Sequence, residues 1–362
     1  MSALKFYPLK VKEIRQETDD CISVLFDVPK ELESTFRFVP GQYLTIRLVT
    51  PEWDIRRSYS ICSGVNDGEL RVAVKKVENG KFTGYAHSVL KVGDVLEVMP
   101  PMGTFCIKRP AKKHKNYLAF AAGSGITPIM SIMKTVLQNE PDSTFSLVFG
   151  NRNRGSVIFR EEIEGLKNSY MGRLRLYHVL SRELMDVQIL NGRITSEKCR
   201  ELFDGLIDPK EADEAFICGP EEMLHAVKKS LTEHGMASEK IHIELFTSPE
   251  QPQAAEAGKV ATGKADNGTM SRVSVTVDGI TTEMEVPYNG ESILEAALNR
   301  GADLPFACKG GVCCTCRARI MEGEVEMTVN YALEPDEVAK GFVLTCQSHP
   351  RTARVVVDFD QR

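Results

Sequence analysis

Four cysteines near the C-terminus, Cys308, Cys313, Cys316 and Cys346, follow the spacing C-x4-C-x2-C-x29-C. This is the thiolate spacing of plant-type [2Fe–2S] centres, where two irons bridged by sulfide take four cysteines. One loop can supply three of them if small residues let its backbone wrap the cluster, and Lys309-Gly310-Gly311-Val312 with Thr315 provides such a loop. Structural zinc sites use two close pairs of Cys or His instead. Here three candidates crowd one loop and the fourth stands alone. Cys314 lies inside the loop, but the spacing gives it no metal to bind.

A one-electron carrier needs a source of electrons, and two further motif groups offer one. Arg57-Ser58-Tyr59-Ser60, Gly80-Lys81-Phe82-Thr83 and Pro101-Met102-Gly103-Thr104-Phe105 lie in that order in the N-terminal third. Arginine offers a rigid fork for phosphate. An aromatic ring can pack on an isoalloxazine, and a hydroxyl can hydrogen-bond the flavin N5. A glycine turn can present backbone N–H groups to a second phosphate. Ala122-Gly123-Ser124-Gly125-Ile126-Thr127-Pro128 then follows an apolar run and opens a helical pattern. It predicts a nucleotide pyrophosphate at a helix N-terminus, with Thr127 as the cap and Pro128 in the first turn. Ser181-Arg182-Glu183, assisted by Arg152 and Arg154, offers a hydroxyl and guanidinium for a 2′-phosphate, where an NAD enzyme would more often place an acid. Cys218-Gly219-Pro220 ends an apolar run, where the thiol is either a buried inert core residue or a contact for a nicotinamide above the strand end. Cys21, Cys62, Cys106 and Cys199 read as structural, and the histidines form no metal-ligand pattern.

These motifs need three kinds of scaffold. Up to about residue 112, short alternating runs at 10–14, 22–28, 43–48, 70–77 and 95–98 are separated by turns such as Pro40-Gly41 and Gly93-Asp94. They predict an antiparallel β-barrel. From 113 to 248, strand patterns at 117–122, 145–149, 175–180, 215–218 and 241–246 alternate with helical ones at 128–137, 159–166, 196–202 and 221–234. That alternation predicts a Rossmann-like parallel α/β domain with its ligand at the strand C-termini. The stretch 249–270 is rich in Ala, Gly, Pro and Gln and reads as a linker, able to span ~25 Å if flexible. Beyond it, Val273, Val275 and Val277 alternate with polar residues, Asp278-Gly279 signals a hairpin, and 292–298 reads as a helix closed by Gly301. Strands at 342–346 and 354–359 complete a third domain, 271–362.

Composition narrows the class. The chain has 362 residues, 42% hydrophobic and 26% charged, which suits a multidomain globular protein. No apolar run suits membrane insertion, and 1–14 lacks the apolar core of a signal peptide. Ten cysteines without framework spacing fit a reducing cytoplasm. The formal charge of −5 is local: residues 270–362 hold nine Lys and Arg against fourteen Asp and Glu, and the remainder is balanced. An acidic carrier module argues against nucleic acid as a partner and favours docking to a basic protein surface.

In their order the motifs resemble the ferredoxin–NADP reductase superfamily, over essentially the whole chain. With a β-grasp iron–sulfur domain at the C-terminus, the chain is most similar to reductase components of multicomponent oxygenases, of the phenylacetyl-CoA epoxidase kind. Ketosteroid-hydroxylase and fatty-acyl desaturase reductases share the order. The resemblance implies FAD in preference to FMN, although phthalate-dioxygenase-type reductases with the same order use FMN. It implies NADPH as donor and an oxygenase or desaturase protein as acceptor. It further implies flavin contacts from Arg57, Ser58, Tyr59 and Ser60, backbone contacts from Val74 and Lys75, and a pyrophosphate contact from Thr83. Gly123, Ser124, Gly125 and Thr127 would hold the NADPH pyrophosphate, Ser181 and Arg182 its 2′-phosphate. Cys218 would lie near the nicotinamide, and Glu244 and Phe246 would close over the flavin, making Ser60, Cys218 and Glu244 the expected catalytic set. Other readings are a general NADPH–ferredoxin reductase, the reductase of a desaturase or ketosteroid hydroxylase and, from a different class, a non-catalytic iron–sulfur electron-transfer or scaffold protein. The last would leave the Arg57–Ser60 and Gly123–Thr127 motifs idle.

Overall fold

The computed structural model describes residues 5–107, 114–246 and 269–361. They fall into two compact units, one of the described residues in 7–48 and 59–246, the other of those in 5–6, 49–58 and 269–361. The expected linker, 249–270, lies outside the described residues except for its last two positions.

In the first third of the chain, β1 (Tyr7–Thr18), β2 (Cys21–Asp27), β3 (Tyr43–Val49), β4 (Asp54–Ser60), β5 (Leu70–Lys75), helix α1 (Lys81–Ser88) and β6 (Val95–Val98) follow one another. The strands form the six-stranded sheet of the flavin barrel, in the order β4-β3-β6-β1-β2-β5. Two sequence expectations are corrected here. Arg57–Ser60 fell between the expected strand runs at 43–48 and 70–77 but lies within a strand of its own, β4. The Gly80–Thr83 turn is in fact the entry to α1, which was not foreseen. Strand pairing overrides the charged look of Asp54-Ile55-Arg56-Arg57, and burial of Phe82, Thr83 and Ala86 secures a helix that Gly84 would disfavour.

The parallel domain runs β7 (Asn116–Ala122), α2 (Ile126–Asn139), β8 (Thr144–Asn151), α3 (Arg160–Ser169), β9 (Leu174–Leu180), α4 (Ser196–Gly205), β10 (Glu214–Gly219), α5 (Glu221–Glu233) and β11 (Ile241–Leu245). Its sheet order is β11-β10-β7-β8-β9, all parallel. The order reverses between β7 and β10, which is where such sheets open a ligand crevice. Strand β7 is central because Tyr117, Leu118, Ala119, Phe120 and Ala121 are all buried, as both faces of a covered parallel strand require. Helix α2 is buried almost all round and packs into one core with Phe105, Tyr117, Phe145, Phe149 and Phe216. Each such aromatic contributes about 1.5–3 kcal/mol by leaving water. The same helix reaches the barrel loop through Ser131 Oγ, which donates to the Ser63 carbonyl at 2.7 Å.

The C-terminal module has β12 (Met270–Val277), β13 (Ile280–Pro287), α6 (Ile293–Asn299), β14 (Arg317–Glu322), β15 (Val325–Met327), α7 (Pro335–Ala339), β16 (Phe342–Leu344), β17 (Ser348–Pro350) and β18 (Arg354–Asp358). Its main sheet runs β13-β12-β18-β14-β16, with β12 and β18 parallel, and β15 pairs with β17. The hairpin turn adopts positive φ at both Asp278 (47°) and Gly279 (73°), the geometry that Asp-Gly favours. Ser292 caps α6 by accepting from the Glu295 N–H at 3.3 Å. Val273, Val275, Leu294, Leu344, Val355 and Val357 form the core under the helix.

Candidate active site and cluster loop

Ser60 ends β4 and is buried. Its Oγ donates to Glu244 Oε2 at 3.4 Å, across 184 residues of chain. Glu244 stands beside Cys218 in the β10–β11 register. Burial pushes the Glu244 carboxyl up to about 8, against the opposing pull of the Ser60 hydroxyl. Burial and the neighbouring Glu244 push the Cys218 thiol well above its ordinary range. Cys218 is therefore a protonated, fully enclosed side chain at neutral pH. Its carbonyl oxygen faces Gly125 so closely that a Cβ there would collide with it, which explains the glycine.

The Gly123–Gly125 segment is a single 3-10 turn after β7, entered through a left-handed Gly123 (φ 53°). That early turn starts α2 at Ile126, two residues before the expected start, and removes Thr127 from the capping position. Thr127 Oγ1 instead donates to the Ser124 carbonyl at 3.0 Å and tightens the turn. The Lys75 ammonium stands 3.9 Å from the place a Gly123 Cβ would occupy and 3.5 Å from Asp20 Oδ2. Lys75, expected to contribute backbone contacts, brings a cation to the glycine turn. Val74, expected as a backbone partner, has its carbonyl 3.0 Å from His87 Nε2.

Thr83 is buried, and its hydroxyl accepts from the Val77 N–H at 3.2 Å and lies 3.2 Å from the Gly80 carbonyl. It thus pins the turn that enters α1. The Tyr59 ring packs 5.3 Å from the Phe82 ring, centroid to centroid. Phe246 packs, partly buried, against the core of α2 and β10. Arg57 Nη1 donates to the Arg56 carbonyl at 3.0 Å, and Ser58 follows on β4. Ser181 and Arg182 follow β9, and their N–H groups donate to the Asn151 and Arg152 carbonyls at 3.0 and 2.8 Å. Arg152 and Arg182 thus share one exposed edge. Glu183 binds Arg154, both at its Nε (3.2 Å) and at its backbone N–H (2.8 Å).

In the other unit the cysteine loop precedes β14. Cys308 and Cys313 bring their Sγ atoms to 3.1 Å, and the Gly310 N–H donates to Cys308 Sγ at 3.3 Å. Lys309 (φ 53°) and Gly311 (φ 73°) make the wrap. Thr345 Oγ1 donates to the Cys316 carbonyl at 3.0 Å, tying the loop to the segment that carries Cys346. The Cys313 and Cys346 thiols and the loop N–H groups stabilise the Cys308 thiolate, while Cys308, Cys316 and burial push Cys313 and Cys346 up. Four crowded thiols that cannot all ionise alone suit a cationic, thiophilic centre. Among the described residues no three His, Cys, Asp or Glu groups converge as for a single ion. A cluster of two irons asks only for pairs of thiolates, and the donor set fits [2Fe–2S]. Cys314 is turned away, its thiol donating to the Ala332 carbonyl at 3.3 Å.

The three domains have counterparts elsewhere. The oxidoreductase FAD-binding domain family matches residues 8–107, the oxidoreductase NAD-binding domain family 120–229, and the 2Fe-2S iron-sulfur cluster binding domain family 275–351. The chain is 43% identical to one of the subunits of 1,2-phenylacetyl-CoA epoxidase from Escherichia coli (strain K12), over 99% of this chain and 98% of that protein. It belongs to the ferredoxin reductase family. Over 97% of this chain and 96% of the relative, this reductase is 32% identical to the ferredoxin reductase component of 3-ketosteroid-9-alpha-monooxygenase from Rhodococcus rhodochrous. The solved structure of phthalate dioxygenase reductase shares its fold, with a TM-score of 0.59 at 22% identity over 98% of each chain. The protein is a flavoprotein reductase with FAD-, pyridine-nucleotide- and [2Fe–2S]-binding domains. No helix among the described residues is long and apolar enough to cross a membrane.

Proposed function

We propose that this reductase takes a hydride from NADPH and delivers single electrons to an oxygenase of the phenylacetyl-CoA epoxidase kind, in the cytoplasm. The observation that carries the acceptor is the near end-to-end match to a component of phenylacetyl-CoA epoxidase. Bound flavin would accept the hydride pair and the cluster would pass electrons on singly. The chain's own residues do the rest. Ser60 and Glu244 hold a hydrogen-bonding pair at the hydride site, and Tyr59 and Phe246 supply aromatic walls. Arg57 and Ser58 contact the flavin, and the α1 entry pinned by Thr83 contacts pyrophosphate. Gly123, Ser124, Gly125 and Lys75 form the nucleotide pyrophosphate cradle, with Thr127 bracing it. Cys308, Cys313, Cys316 and Cys346 hold the cluster. The three functions follow the boundaries 1–112, 113–248 and 271–362.

NADPH over NADH rests on the edge shared by Ser181, Arg182 and Arg152, where the nearby acid, Glu183, is turned to Arg154. A charge-assisted phosphate contact contributes about 1.5–3 kcal/mol, or about 10- to 150-fold in affinity. Arg182→Ala should weaken NADPH binding by that factor and leave NADH nearly unchanged. Equal losses for both nucleotides in a binding titration would remove Arg182 from the 2′-phosphate site.

Delivery is testable with a purified epoxidase component. The excess negative charge of residues 270–362 should attract a basic docking face, and such attraction is screened beyond about 8 Å at physiological salt. Electron transfer to the epoxidase should slow as ionic strength rises, while flavin reduction by NADPH changes little. Failure to reduce that component at any salt, beside normal reduction of a desaturase or a free ferredoxin, would move the reading to the general reductase.

A further inference from the structure

The strand carrying the flavin motif holds a second arginine. Arg56 is 6% exposed and belongs to the same compact unit as the cysteine loop. Its Nη1 donates to the Leu304 carbonyl at 3.1 Å, and its Nη2 lies 3.5 Å from Asp303 Oδ1. The guanidinium sits 4.2 Å from the centroid of the Phe306 ring and 5.2 Å from that of Phe6. Lys309 approaches the same Phe306 ring at 5.0 Å, so two cations bracket it. Phe306 is two residues ahead of Cys308. Neighbouring side chains on a strand point to opposite faces, so Arg56 and Arg57 face opposite ways from adjacent positions. Burying a guanidinium is costly unless it is hydrogen-bonded and paired. The carbonyl, carboxylate and ring contacts from the 303–306 loop offset part of that cost, beside Asp54 Oδ1 at 4.0 Å from Nε.

We propose that Arg56 is a positioning residue for internal electron transfer: it holds the loop leading into Cys308 against the strand segment that carries Arg57 and Ser58. The inference rests on the reading that flavin binds at Arg57–Ser60. The step it governs is the passage of one electron from reduced flavin to oxidised cluster, and it adds no new reactant. Asp303 is almost fully exposed, so its share in the hold is screened by water. The carbonyl of Leu304 and the ring of Phe306 carry the specificity. Lysine, a point charge without a planar fork, restores only part of it.

The test uses the holoenzyme. In Arg56→Ala, reduction of bound flavin by NADPH should keep its rate, while the following reduction of the cluster slows by about tenfold, the scale of a lost cation–π and charged hydrogen-bond contact. Hydrogen exchange of the 303–306 amides should rise in the same variant, and Arg56→Lys should fall between. If Arg56→Ala loses flavin or cluster on purification, Phe306→Leu decides, since it removes the ring and keeps the arginine. Wild-type cluster reduction with unchanged 303–306 exchange, in whichever of the two variants purifies intact, overturns the proposal. Arg57→Ala separates the two readings: full flavin retention there would overturn the flavin placement, while exchange at 303–306 still reports on Arg56.

Discussion

Replacing Cys313 by serine should abolish the cluster's visible and paramagnetic signatures while NADPH still reduces the flavin. Cys313 is buried against Cys308, with the two sulfurs at 3.1 Å, so its loss removes half of the closest ligand pair. Serine keeps the shape of the side chain but not the soft thiolate that iron–sulfur centres require. The residues proposed above for flavin and nucleotide, Tyr59, Ser60, Lys75, Gly123 and Glu244, belong to the other compact unit, whose core is separate from the one under α6. Electron delivery to any partner should therefore fall to background, with flavin content and the first half-reaction preserved. Because cluster binding stabilises its loop, the C-terminal module should also unfold at a lower temperature than in the wild type. A folded Cys313→Ser protein in which NADPH no longer reduces the flavin would sink the modular description.

The chemistry that was legible in the sequence is the chemistry held by local spacing. The separations of the four cysteines alone constrain what they could ligate, and the 122–128 turn announces itself because Gly125 must allow the close approach of the Cys218 carbonyl. What was not legible depends on long-range pairing. Strand β4 has the composition of a loop, and only its neighbours in the sheet make it a strand. Helix α1 was hidden because glycines flank it on both sides of Thr83. The Lys75 ammonium reaches the Gly123 turn from a different sheet. Arg56 meets Leu304 across 248 residues, and no local pattern distinguishes it from the arginine that follows it. Ser60 and Glu244 were each expected from resemblance, but their hydrogen bond to one another was not. The upward push on the glutamate was not, because it arises from burial.

That push yields the largest expected pH effect. Glu244 titrates at about 8 instead of its ordinary 4.5, so at neutral pH it is a neutral acid facing Ser60. Hydride acceptance adds negative charge to the site. A carboxylate at Glu244 opposes that gain and a carboxylic acid does not. The rate of flavin reduction by NADPH should be level below pH 8 and decline above it. Glu244→Gln should keep a level rate through the same range, because the amide mimics the neutral acid. Glu244→Ala should be slower at every pH, by about 10- to 150-fold, the worth of a hydrogen bond in a charge-developing site. Stability gives an independent reading with a fixed sign. The folded state holds the Glu244 proton up to about 8, whereas the unfolded chain releases it near 4.5. The stabilisation is complete below the lower value and is lost as pH rises to the upper one. Glu244→Gln should therefore melt progressively higher than the wild type as pH increases through that window. Parallel pH profiles for the wild type and Glu244→Gln, in both rate and melting temperature, would mean that the carboxyl ionises normally and that the hydride site is tuned by another group.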